Sequence, residues 1–104
     1  PADRAGRQVG GLAPDFAAAR VALETVRSML ARIAAAPGEA RFRRVRLDNG
    51  AFRARVGRHV GGKELLLAAN FRRGGDGSAL ECAAGPAELA VAASLIDAAL
   101  DALP

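Results

Sequence analysis

The stretch Arg41-Phe42-Arg43-Arg44-Val45-Arg46-Leu47-Asp48-Asn49-Gly50-Ala51-Phe52 decides how this chain folds. Val45 and Leu47 alternate with Arg44 and Arg46, the period of a strand with one apolar face and one guanidinium face. Asp48 and Asn49 interrupt the strand, and either can cap a helix that begins near Gly50 or Ala51. Phe52 and Val56 are four apart and share one face of that helix. A cationic strand, an Asn-bearing turn and a helix start are thus held in one place, which reads as a binding surface for something acidic.

Downstream, Gly57 and the Gly61-Gly62 pair break the chain, and residues 63–69 form a second short helix carrying Leu65, Leu66 and Leu67. Asn70 is placed to end it in the left-handed conformation. Phe71 begins a strand, Gly74-Gly75-Asp76-Gly77 makes a hairpin turn, and residues 79–83 return as its partner. Pro86 suits the first turn of a last helix whose stripe is Leu89, Ala93, Ile96, Leu100 and Leu103.

Upstream, residues 39–43 suggest a short helical turn, and Pro37-Gly38 stops a long helix. Asp15, following Pro14, opens that helix, and Phe16, Leu23, Val26, Leu30 and Ile33 form its apolar stripe. Glu24, Arg27 and Ser28 sit off the stripe. Residues 1–14 have no periodicity and read as a flexible linker or tail, leaving 15–104 as the domain. The order predicts an α+β fold: long N- and C-terminal helices, two short central helices and a small antiparallel β-sheet of about three strands.

The chain has 104 residues, enough for one modest core. It holds four Phe and neither Tyr nor Trp. Large core residues are therefore scarce, and Phe16, Phe42, Phe52 and Phe71 are all expected in the core or at its edge. The net charge of +4 permits acidic peptides, nucleic acid or anionic lipid as partners. Cys82 is the only cysteine, so no internal disulfide can form, which suits a reducing compartment. No apolar run approaches a membrane span, and the N-terminus lacks a signal pattern. These features favour a cytoplasmic or nuclear domain, excised from a longer protein.

Two catalytic patterns fail on inspection. Gly57-Arg58-His59-Val60-Gly61-Gly62-Lys63-Glu64 nearly spells a phosphate-binding loop. Glu64 stands where a Ser or Thr should hold magnesium, and the preceding segment reads as helix rather than strand. His59 and Cys82 are each single, nothing in their spacing brings them together, and one of each cannot make a structural zinc site. Cys82 in a strand reads as a small buried hydrophobe. The arginine cluster carries the signal: Arg41, Arg43, Arg44, Arg46, Arg53, Arg55 and Arg58 face only Asp48 as an acid within the stretch. Its bland reading is a solvated face. Nucleic acid is the functional rival, weakened by the lack of Tyr or Trp platforms for stacking bases.

Residues 37–71 resemble the PUB domain, also called PUG, of peptide N-glycanases and several ubiquitin-pathway proteins. The matching features, in order, are Pro37, Phe42-Arg43, Val45-Arg46-Leu47, Asn49, Ala51-Phe52, Gly61-Gly62, Leu65-Leu66 and Asn70-Phe71. With the flanking helices, the resemblance covers roughly residues 15 to 103. It implies a peptide-binding adaptor in protein quality control, docking the acidic C-terminal tail of the valosin-containing AAA ATPase or a similar short motif. By position the implied peptide-binding residues are Met29, Arg32, Arg46, Asn49 and Ala51. The family usually has Tyr and Asn where Met29 and Arg32 stand, and Gly where Asn70 stands, so the partner's sequence can differ. No catalytic residue, metal or cofactor is implied for a domain expected to be a monomer, although the parent protein could carry catalysis on a separate domain. A small basic nucleic-acid-binding domain is the alternative.

Overall fold

The computed structural model describes residues 15–57 and 61–104. The expected linker at 1–14, and Arg58 and His59, lie outside the described residues. The Asp15 carboxylate accepts the backbone N–H of Ala18 at 2.9 Å and starts α1 (Phe16–Ala35) where the sequence places it. Val26, Leu30 and Ile33 on its inner face are fully buried. The helix stops as the Ala36 N–H turns back onto the carbonyls of Arg32 and Ile33, just ahead of Pro37.

A 3-10 turn (Ala40–Arg43) leads into β1 (Arg44–Arg46). A single α-helical turn, α2 (Gly50–Phe52), continues as a π-helical turn (Arg53–Gly57). The expected short helix at 50–56 is therefore present with a widened second half, and Phe52 and Val56 both reach the core. Gly61 has φ +85°, which opens the corner into α3 (Gly62–Ala68). A side chain at Gly62 would overlap the Val56 carbonyl oxygen, so the second glycine is required by close backbone approach. The described flanks do not suit a phosphate loop: the segment before it, Arg53–Gly57, is helical rather than a strand, and the helix after it has only seven residues.

Asn70 adopts φ 70° and ends α3, as its amide side chain favours. The hairpin β2 (Phe71–Arg73) and β3 (Ala79–Cys82) turns at residues 74–77, where the Gly77 N–H donates to the Gly74 carbonyl at 3.0 Å. Asp76 accepts both the N–H and the hydroxyl of Ser78, and these bonds hold its carboxyl below the usual carboxylate range. The sheet is antiparallel in the order β1-β3-β2, so β1 and β2 are its edges.

The last helix, α4 (Pro86–Ala102), begins at Pro86, with Glu88 reaching back to accept the Gly85 N–H at 2.8 Å. It packs along α1, and an Arg27–Asp97 pair at 2.9 Å ties the two helices at the surface. Ala92, which the sequence stripe omits, joins Leu89 and Ile96 in the core, while Leu100 packs at its margin. One core-edge expectation is corrected: Phe16 is 46% exposed. A 20-residue helix is about 30 Å long. Its first buried residue is Ala22, so the opening turn extends past the core.

Candidate functional site

The side chains of α1 face two ways. One stripe enters the core. Beside it, Val21, Thr25 and Met29 repeat at four-residue spacing, as do Glu24, Ser28 and Arg32. These two rows form one wall of a groove of about 570 Å³. The opposite wall is built from Arg41 and Phe42 of the 3-10 turn, Arg44 and Val45 of β1, Asn49 and Ala51, with Phe52 and Arg55 beyond them. A second hollow, of about 90 Å³, is wholly aliphatic and lies between α1, α3 and α4.

Met29, Val45 and Phe52 give the groove apolar contact surface, and all three belong to or pack on the core. Its rim is cationic. The guanidinium carbons of Arg32 and Arg41 lie 5.8 and 5.1 Å from the Phe42 ring centroid, so both rest against that aromatic. Such contacts are worth about 0.5–1 kcal/mol each at exposed sites. They orient two charges at the groove's edge. Arg44 and Arg55 add two more, against Glu24 as the one acid among the described residues of the lining. Asn49 caps α2: its Oδ1 accepts the Phe52 N–H at 3.0 Å. That leaves the amide NH2 as a donor, since a carboxamide offers both functions.

Of the five residues implied as peptide-binding, Met29, Arg32, Asn49 and Ala51 line this one groove. Arg46 does not line it. Its guanidinium makes a two-point bond to Asp48, at 3.0 and 3.2 Å, on the surface of the sheet. That bond raises the pKa of Arg46 and holds the Asp48 carboxyl below its ordinary range. The arginine cluster is also less uniform than its sequence. Arg43 is folded inward, with Nε donating to the Pro37 carbonyl and Nη1 to those of Cys82 and Ala84. Arg41 approaches Glu39 at 3.6 Å.

Sequence reasoning did not single out Val21, Thr25 and Ser28 as site residues. The available signal was position: Val21 and Thr25 lie eight and four residues before Met29 on the same helix face. Cys82 is buried, with its thiol 3.6 Å from the Ala69 carbonyl. Among the described residues, no cluster of His, Cys, Asp and Glu could hold a metal ion. No described helix is long and apolar enough to cross a membrane.

The chain thus runs from a long helix through a 3-10 turn and a cationic strand to an Asn-capped helix and a Gly-Gly corner. A model of the PUB domain matches residues 16–91. The chain belongs to the PUB domain family. Comparison with curated proteins gives no match. PUB domains are protein–protein interaction modules, so this domain is a binding module rather than a catalytic one. The matched span contains every residue that lines the groove.

Proposed function

We propose that this PUB domain is an adaptor that docks the acidic C-terminal tail of the valosin-containing AAA ATPase, or a similar short acidic motif. It would serve protein quality control in the cytoplasm or nucleus. The observation that carries the reading is the groove between α1 and β1, with an apolar floor and four arginines on its rim against a single glutamate. An aromatic side chain of the ligand seats against Met29, whose thioether is an adaptable partner for a ring. Acidic neighbours meet Arg32, Arg41, Arg44 and Arg55. The amide NH2 of Asn49 donates to a ligand backbone carbonyl.

Nucleic acid fits this surface less well. Phe52 and Phe71 are buried, and Phe42 is already occupied by two guanidinium groups, so they do not offer open faces on which bases could stack. Titration with the acidic tail peptide, beside single-stranded DNA at matched salt, tests the reading. The expected result is saturable peptide binding. Salt-steep binding to DNA of any sequence without peptide binding would reverse it.

A further inference from the structure

The groove follows the open edge of a β-strand. Successive strand residues point to opposite faces of a sheet. Arg44 and Val45 are successive and both line the groove, so it abuts the edge of β1 rather than either face. The other edge of β1 is taken by β3.

The register tells which backbone groups are left at that edge. Arg44 stands opposite Glu81, Val45 opposite Leu80 and Arg46 opposite Ala79. The Leu47 N–H donates to the Ser78 carbonyl at 3.0 Å, and the Gly74 N–H donates to the Ala79 carbonyl across the other ladder. In an antiparallel pair the bonded and non-bonded positions alternate. Ser78 and Leu80 therefore bond toward β1, while Ala79 and Glu81 bond toward β2. Val45 is a bonded position of β1, and Arg44 and Arg46 turn their backbone groups outward. The Arg46 carbonyl is satisfied by the Asn49 N–H at 3.1 Å. The N–H and C=O of Arg44 and the N–H of Arg46 bond to no other described residue.

Resting on the docking reading above, we propose that the acidic ligand binds as an added β-strand along β1, and that this dictates an alternating ligand pattern. The three outward groups of Arg44 and Arg46 form main-chain hydrogen bonds to an extended segment. Side chains of that segment then alternate across the sheet plane. One set falls on the Val45 side, over Met29 and Ala51, and favours apolar or aromatic groups. The other falls on the Arg44 side and favours carboxylates. The preferred core of the ligand is acidic, aromatic or aliphatic, acidic. A short edge strand bearing two arginines repels most strands that could pair with it. An acidic strand turns that repulsion into selection.

The test follows backbone amide exchange by NMR in the domain saturated with the acidic tail peptide. In parallel, a set of peptides has each backbone amide in turn replaced by an ester. Strand addition predicts slowed exchange at the Arg44 and Arg46 amides, by about tenfold or more. Ester replacement should weaken binding most at the one ligand position whose N–H meets the Arg44 carbonyl. Saturable binding with Arg44 and Arg46 exchanging as in the free domain overturns strand addition and leaves the docking reading standing. Absence of peptide binding overturns both.

Discussion

The side-chain oxygen of Asn49 accepts the backbone N–H of Phe52 at 3.0 Å, so the residue that caps α2 also fixes the start of the turn that buries the Phe52 ring. Cap and groove share one side chain, whose oxygen faces the helix and whose NH2 remains to donate. Asn49→Asp separates the two roles. Aspartate caps about as well as Asn, and its charge suits a helix N-terminus, so the melting temperature should hold. The donor is lost and a negative charge is set beside an acidic ligand. Tail-peptide affinity should fall by at least tenfold, about 1.4 kcal/mol. If the variant binds as tightly as the parent, Asn49 is only a cap.

Two phenylalanines of equal size should behave oppositely. Phe52 is 6% exposed in the core and Phe16 is 46% exposed at the first turn of α1. Phe52→Ala should cost about 3–5 kcal/mol, the usual range for truncating a core aromatic. That is a large share of the stability of a domain this size. Phe16→Ala should change stability by no more than about 0.5 kcal/mol, as at other surface positions. Denaturant melts of both variants check the pair, and equal losses would mean the core extends to the start of α1.

Charge reversal should likewise discriminate between arginines. Arg32 rests on Phe42 at the groove rim, whereas the guanidinium of Arg46 is bonded to Asp48 away from it. Arg32→Glu should weaken acidic-peptide binding and flatten its salt dependence, because a like charge across an interface is costly. Arg46→Glu should have the smaller effect on affinity. Titrations of both at two salt concentrations make the comparison; a larger loss from Arg46→Glu would shift the main charge contact from Arg32 at the rim to the sheet face that Arg44 and Arg46 share.

The sequence made the element boundaries readable where one residue sets them alone. Asp15 as cap, Asn70 in the left-handed region and Pro86 at a first turn are local chemistry, and each stands where it was expected. The fates of the arginines were not readable. Whether Arg43 points to solvent or back onto Cys82 and Ala84 depends on strand pairing across some forty positions. Nothing within the stretch 41–52 encodes it. Arg27 is similar: it lies off the apolar stripe, and only the packing of α4 against α1 brings Asp97 to it. Met29, Arg32, Asn49 and Ala51 were reachable through resemblance, but the rest of the groove's α1 wall required the helix to be seen against β1.

Stability should fall in acid partly through the hairpin. Hydrogen bonds from Ser78 hold the Asp76 carboxyl below its ordinary range in the fold. A carboxyl lowered in the folded state contributes stability above its unfolded pKa of about 3.9 and loses it as pH falls through the folded value. Asp76→Ala should therefore lower the melting temperature near neutral pH and narrow the gap to the parent as pH drops below that range. Because Asp76 is exposed the effect is small, and thermal melts from neutral to acid pH measure it. A gap that stays constant down to strongly acid pH would remove Asp76 from the acid response.

Arg43 gives the sharpest contrast with its neighbours in the same cationic run. Its Nε donates to the Pro37 carbonyl at 2.9 Å, and its Nη1 donates to Ala84 at 2.8 Å and Cys82 at 3.2 Å. One side chain thus joins the exit of α1, the end of β3 and the approach to α4. Removing it leaves part-buried carbonyls without a donor, and hydrogen bonds to a charged group are worth about 1.5–3 kcal/mol. Arg43→Ala should destabilise by about 2–3 kcal/mol, on the order of 10 °C in melting temperature for a domain of this length. Arg43→Lys should recover only part of this, since an ammonium on a flexible stem lacks the fixed fork that spans three carbonyls. Below the melting transition, both variants should bind the tail peptide like the parent, because Arg43 does not line the groove. A variant that melts like the parent but binds weakly would move Arg43 from the framework to the rim.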